Sequence, residues 1–224
     1  MIRLRRDSWW LFDLGARFYS WFTNQVAWRS ACCALACRLP HAESLLVLDL
    51  GCGPGGSAIE LARARPGARI VGIDIAPRML REARRRLREA GLSARRVPLA
   101  QADAVRLPIR TGSVDAITGH SFLYLVADRE ATLAESWRVL RPGGHLILME
   151  PHARPARPRA VLGVSRDPRH LISVSLWRPF SRLHGRFTPS SLTATLEAAG
   201  FVGCQIEEVL GGLGLLASAR KPPG

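Results

Sequence analysis

The sequence predicts an α/β domain built on a mostly parallel sheet. Three observations carry that prediction. Short apolar runs alternate five times with amphipathic helical segments between Leu45 and Glu150. The first run passes into a glycine-rich turn, VLDLGCGPGGSAIEL, at Val47 to Leu61. The last two runs meet around Gly211-Gly212 with no helix between them, so they pair antiparallel. Repeated strand-helix-strand units demand right-handed crossovers and helices on both sheet faces. Ligands then gather where the strands emerge at their carboxyl ends.

Each element has its own justification. Residues 1–39 read as helical, with Leu11, Leu14, Phe18, Trp21 or Phe22, and Val26 at helical spacing and Pro40 as the stop. LLVLDL, Leu45 to Leu50, is a buried parallel strand, followed by a helix from Ser57 to Ala64. ARIVGIDI, Ala68 to Ile75, is the second strand. Its helix starts at Pro77, buries Met79, Leu80, Ala83 and Leu87, exposes Arg81, Arg84, Arg85 and Arg88, and stops at Gly91. Arg95 to Asp103 is the third strand and Ser113 to His120 the fourth. Asp128 caps a helix closed by Arg141-Pro142-Gly143-Gly144, and HLILME, His145 to Glu150, is the fifth strand. The alternation stops at 151–187, a proline-bearing stretch with three histidines and eight arginines against the single acid Asp167. Order returns at Thr188-Pro189 with a helix ending near Gly200, then the strands VGCQIEEV and LGLLASAR.

A chain of 224 residues suits one domain, residues 1–224. It divides into a helical cap (1–40), a core (41–150), a basic insertion (151–187) and a terminal helix with hairpin (188–224). The net charge is +14, and 31 of the 32 basic residues are arginine, which favours phosphates, anionic lipid heads, acidic small molecules or nucleic acid as partners. Five cysteines without a C-x-x-C pair argue against a disulfide framework, and Cys32, Cys33 and Cys37 lack partners for a metal site. A reducing, cytoplasmic location is expected. Asp13 and Arg17 interrupt any apolar leader, and no later run is long enough to span a bilayer.

The glycine turn raises the question of its ligand. Gly51, Gly53 and Gly56 fit G-x-G-x-x-G, a spacing that serves dinucleotides and other nucleotides alike. Asp49, Asp74 and Asp103 each fall where a strand ends. Asp74, 23 residues after Gly51, stands where an acid accepts ribose hydroxyls. Asp49 beside the turn favours an ammonium and a sulfonium over a pyrophosphate, and no Tyr-x-x-x-Lys pair supplies dehydrogenase chemistry. Asp103 can accept from an adenine amine, with Ile75 and Met79 packed on the ring.

Taken together, VLDLGCGPGG, GIDI, AQADAVRLPI and RVLRPGGHLILMEP resemble the class I S-adenosylmethionine-dependent methyltransferases over residues 45–150. The resemblance implies a Rossmann-like, doubly wound, seven-stranded sheet with an antiparallel last strand, an N-terminal helical lid and a substrate cover after strand five. It implies S-adenosyl-L-methionine as cofactor. Gly51, Cys52 and Gly53 would approach the methionine moiety, Asp49 its ammonium, Asp74 the ribose, Asp103 the adenine amine, and Ala102 and Ala104 would offer backbone contacts. His120 would lie beside the reactive methyl, and Tyr19 in the lid would touch the ligand. An NAD-binding or purely structural domain is the competing reading of the fold.

Methyl transfer is an in-line displacement, so alignment supplies much of the rate, and a base is needed only if the acceptor carries a proton. His120, at a strand end, is the leading base candidate, followed by Tyr124 and His152. Trp9, Trp10, Tyr19 and Trp21 could form an aromatic lid. Arginine-rich and aromatic elements at both ends suggest a small apolar or anionic acceptor, such as a quinol, phenol, lipid or natural product, met at a membrane surface. The alternatives are an RNA methyltransferase, which lacks an aromatic-rich basic surface here, and a non-enzymatic cofactor-binding module. No metal is expected.

Overall fold

The computed structural model describes residues 15–23, 25–155, 158–165 and 167–224. The expected contributions of Trp9, Trp10, Leu11, Leu14, Arg157 and Arg166 lie outside those residues. One seven-stranded sheet organises the chain, in the order β3-β2-β1-β4-β5-β7-β6. Strands β1 (Leu45–Leu50), β2 (Ala68–Asp74), β3 (Leu99–Gln101), β4 (Val114–His120) and β5 (Leu140–Pro151) run parallel. β7 (Gly214–Arg220) is antiparallel to both β5 and β6 (Val202–Val209), as the hairpin required. The order reverses beside β1 and β4, so a crevice opens at the carboxyl ends of those two strands.

Burial explains why these runs are strands. Val47, Leu48 and Leu50 of β1 and Val114, Ala116 and Ile117 of β4 are buried on both sides, the pattern of central parallel strands. One face packs on α5 (Arg129–Val139) and α8 (Pro189–Ala198) through Leu133, Leu192 and Leu196. The other packs on α2 (Val26–Cys37) and α3 (Gly56–Ala64) through Leu35, Ala58 and Leu61. Asp128 caps α5 by accepting from Ala131 N at 2.9 Å, and Thr188 with Ser191 forms a capping box on α8. On α4 (Pro77–Glu89), Arg81, Arg84, Arg85 and Arg88 are exposed as expected, while Arg86 turns inward and donates to Pro54 O at 3.3 Å.

Four expectations are corrected. The cap is two helices, α1 (Ala16–Thr23) and α2, because Gln25 adopts an extended backbone between them. Val26 and Trp21 consequently face outward at 77% and 53% exposure, and Trp28 faces inward. The third strand is shorter than Arg95 to Asp103. Residues 93–96 form a turn closed by Arg96 N to Ser93 O at 3.0 Å, and Pro98 has no N–H for the ladder. Arg141-Pro142-Gly143-Gly144 does not end α5 but starts β5 as a register shift, pinned to the chain end by Gly143 N to Lys221 O at 3.1 Å and Lys221 N to Gly144 O at 2.9 Å. The insertion is helical, with α6 (Pro158–Val164) and the longer α7 (Pro168–His184). Arg178 of α7 is buried and donates to His152 O at 2.8 Å and to Arg154 O, so it fastens the insertion to the sheet instead of meeting solvent.

Candidate active site

The glycine turn is held from below by a buried carboxylate. Asp49 accepts from Ser57 Oγ at 2.5 Å and from Thr118 Oγ1 at 3.0 Å, joining the first turn of α3 to β4. Burial pushes its pKa up to about 6, against the pull of those two hydroxyls. Above the turn, Asp74 accepts from Gly53 N at 2.8 Å and Ala76 N at 2.9 Å, which ties the loop to the end of β2. Gly51 has φ +62, and a Cβ there would collide with the Phe122 ring. Only glycine brings backbone and aromatic ring this close.

Two cavities flank the turn. The larger, about 460 Å³, is lined by Asp74, Ile75, Met79, Ala102, Asp103 and Ala104, together with Phe122. Met79 is buried, Ile75 is 37% exposed, and Asp103 stands at the exposed end with Oδ1 accepting from Val105 N at 3.1 Å. The smaller, about 350 Å³, is lined by Cys52, Trp28, Tyr124, Trp177 and Phe180. Tyr19, Gly51, Gly53, His120 and Ser121 line both. Those five residues mark the junction, where a group held in one cavity faces a group held in the other.

His120 ends β4 at this junction. Its Nε2 is buried and has no hydrogen-bond partner among the described residues. Burial lowers its pKa to about 4, so the imidazole is neutral near pH 7. Trp28 packs edge-on against the His120 ring, centroids 5.6 Å apart, and its Nε1 donates to Ser173 Oγ of α7 at 3.2 Å. Ser121, next in sequence, has φ +52, a conformation rare for a residue with a side chain, held by Ser121 N to Met149 O at 2.7 Å.

The turn after β4 is positioned by Glu150, buried near the end of β5. Its Oε1 accepts from Phe122 N at 3.2 Å and Leu123 N at 2.7 Å, and its Oε2 from Tyr124 N at 3.1 Å. Burial raises this carboxyl to about 7, opposed by the three N–H groups. Phe122 thereby enters the larger cavity and Tyr124 the smaller. His152 lines neither cavity; its Nδ1 is 3.2 Å from Gly212 O. Asp49 lines neither cavity and lies beneath the loop.

Trp28, Ser121, Phe122, Trp177 and Phe180 were not anticipated. Their signals are weak in a sequence: Trp28 sits in the α2 pattern, and Trp177 and Phe180 lie in a stretch read as irregular. Among the described residues no group of three or more His, Cys, Asp or Glu is placed to hold a metal ion. No helix among them is long and apolar enough to cross a membrane.

Comparison with known proteins agrees with this arrangement. Residues 47–144 match the family model described as a methyltransferase domain. The demethylmenaquinone methyltransferase of Mycolicibacterium paratuberculosis is 30% identical, over 97% of this chain and 95% of that protein. That of Thermus thermophilus is 37% identical over 68% of this chain and 65% of that protein, so this match spans just under two thirds of the relative's length. Among solved structures, the [4+2]-cyclase SpnF superposes with a TM-score of 0.72 at 19% identity, covering 96% of this chain and 95% of that one, a likeness of fold alone. The matched domain, the relatives aligned nearly end to end and the sheet order together show that the chain belongs to the class I S-adenosylmethionine-dependent methyltransferases.

Proposed function

We propose that the protein transfers a methyl group from S-adenosylmethionine to a small, apolar, hydroxylated ring compound of the quinol or phenol class. The observation that carries this reading is the aromatic cavity opening onto the nucleotide-type crevice at His120. The names of the full-length relatives, which act on demethylmenaquinone, support the same acceptor class. Neither RNA methylation nor a binding-only module gains support from them.

The residues of the larger cavity fit the cofactor. A carboxylate at the strand end suits ribose hydroxyls, Met79 and Ile75 offer an apolar wall for a purine, and the exposed Asp103 carboxylate suits its amine. Gly51, Gly53 and Tyr19 would meet the methionyl part beside Cys52, while Ala102 and Ala104 flank Asp103 and would offer backbone contacts at the adenine end. Asp49 acts through Ser57 and Thr118, keeping the loop in place. When bound, S-adenosylmethionine supplies an electrophilic methyl on a sulfonium. The chain's task is then to align the acceptor and exclude water.

Trp28, Trp177 and Phe180 form apolar walls that exclude water, and the neutral Nε2 of His120 accepts the proton of the acceptor hydroxyl. Tyr124 contributes binding rather than basicity, since burial raises its phenol pKa well above the ordinary value. His152 has no part in this reading. A cytoplasmic enzyme touching the membrane peripherally fits the exposed Trp21, Ile172, Leu176 and Leu183. Incubation with methyl-labelled S-adenosylmethionine, a demethylated quinol and, separately, RNA tests the proposal. Label in the organic extract is expected; label in RNA alone, or in neither, would overturn it.

A further inference from the structure

Helix α7 presents two sides of different character, and only one of them packs on the protein. His170, Ser173, Val174, Arg178 and Ser181 face inward and are buried. On the opposite side Ile172, Leu176, Pro179 and Leu183 recur at i, i+4, i+7 and i+11, within about 60° of arc, and all four are exposed, Leu176 at 56% and Leu183 at 72%. Arg169 and Arg182 flank this row, one on each side. A single exposed leucine needs no explanation, but an apolar row along about three turns of one helix marks a contact surface. The charge around the row has one dominant sign. α1, α2 and α7 contain no acidic residue, while Arg17, Arg29, Arg169 and Arg182 are exposed. Asp167 and Glu60 offset only Arg169 and Arg29. α1 packs against α7 and adds Trp21, 53% exposed and one turn from Arg17. Leu176 also lines the aromatic cavity, together with Thr23 of α1, so the row borders the cavity mouth.

We propose that this face of α7 seats at the headgroup level of an anionic bilayer, where the aromatic cavity opens toward the leaflet and draws its acceptor from the lipid phase. The route, though not the docking itself, rests on the apolar acceptor proposed above. At this depth the apolar side chains leave water while the flanking guanidinium groups reach anionic phosphates, and the two contributions add. The arginine excess on these helices, in a chain of net charge +14, favours an anionic membrane over a second copy of the same basic face, since two such faces repel. An apolar acceptor then passes from leaflet to cavity along Leu176 without crossing water.

Flotation of the full chain with equimolar phosphatidylglycerol and phosphatidylcholine vesicles, against phosphatidylcholine alone, tests the surface. Binding to the anionic vesicles is expected, weakened by salt and at least about tenfold lower on the neutral ones. Ile172→Gln combined with Leu183→Gln should weaken it about tenfold or more, and Arg182→Gln about fivefold. Unchanged S-adenosylhomocysteine affinity reports that the variants are folded. The doubly substituted protein should also lose most of its turnover of a long-chain demethylated quinol carried in those vesicles, yet keep its turnover of a short, water-soluble quinol. Absence of binding to anionic vesicles, binding indifferent to these substitutions, or a dimer through this face in place of vesicle binding would overturn the docking. Flotation needs no acceptor, so a protein that floats as described but methylates neither quinol contradicts the acceptor class and the route from the leaflet, and leaves the docking of α7 supported.

Discussion

Replacing Glu150 by glutamine gives a quantitative test of how the site turn is held. The carboxylate accepts three backbone N–H groups, from Phe122, Leu123 and Tyr124, while fully buried. Its pKa rises from 4.5 to about 7, with burial as the leading cause. Between those values the native protein keeps a proton that the unfolded chain has released. Stability contributed by this group is therefore present below pH 4.5 and lost as pH rises through about 7. At 1.36 kcal/mol per pKa unit, the loss between about pH 5 and pH 8 is on the order of 2–3 kcal/mol. Glutamine does not titrate. It also leaves the Tyr124 N–H facing an amide N–H, costing about 1–3 kcal/mol at every pH. Urea unfolding of both proteins at pH 5 and pH 8 separates the two effects, since the constant cost cancels between pH values. The variant should gain about 2–3 kcal/mol on the wild type from the lower to the higher pH. An identical stability difference at the two pH values would refute the assignment of that titration to Glu150.

Gly51→Ala places a Cβ against Phe122 at φ +62, and S-adenosylhomocysteine binding measured by calorimetry should weaken at least about tenfold. Asp74→Ala should weaken the same binding by about ten- to a hundredfold, from loss of both the carboxylate and the loop tether at Gly53. His120→Ala should lower kcat by about a hundredfold or more with cofactor affinity nearly unchanged; equal losses would assign the residue to binding alone. Because burial lowers the pKa of His120 to about 4, its contribution to native stability is present above pH 6.5 and lost as pH falls through 4. His120→Asn should flatten the acid limb of the unfolding profile over that interval.

Much of the scaffold is legible in the chain because its signals are local. A buried strand running into glycine, a proline opening a helix and an acid at a strand end each need only a few neighbours in sequence to be recognised. The β1 turn, Asp74, Met79 and Asp103 all come together as those signals imply. The aromatic cavity is different. It joins Trp28 of α2, Tyr124 after β4 and Trp177 of α7, which are brought together by packing that leaves no periodic trace. The arginines of 151–187 hid a helix, because Arg178 is turned inward to carbonyl groups and Pro179 sits within α7. Arg141-Pro142-Gly143-Gly144 has the composition of a helix stop, yet its partners lie at the far end of the chain, at Lys221 and Pro222. Asp49 shows the same limit from the other side, since its place in the turn is plain but its burial under Ser57 and Thr118 emerges only in three dimensions.

The most direct measurement is a crystal structure of the protein with S-adenosylhomocysteine. The account predicts the ribose on Asp74, the adenine between Met79 and Asp103, and the sulfur at the junction beside Gly51 and His120, facing the cavity walled by Trp28 and Trp177. Adenosine lodged among those tryptophans, or a sulfur directed away from His120, would contradict it.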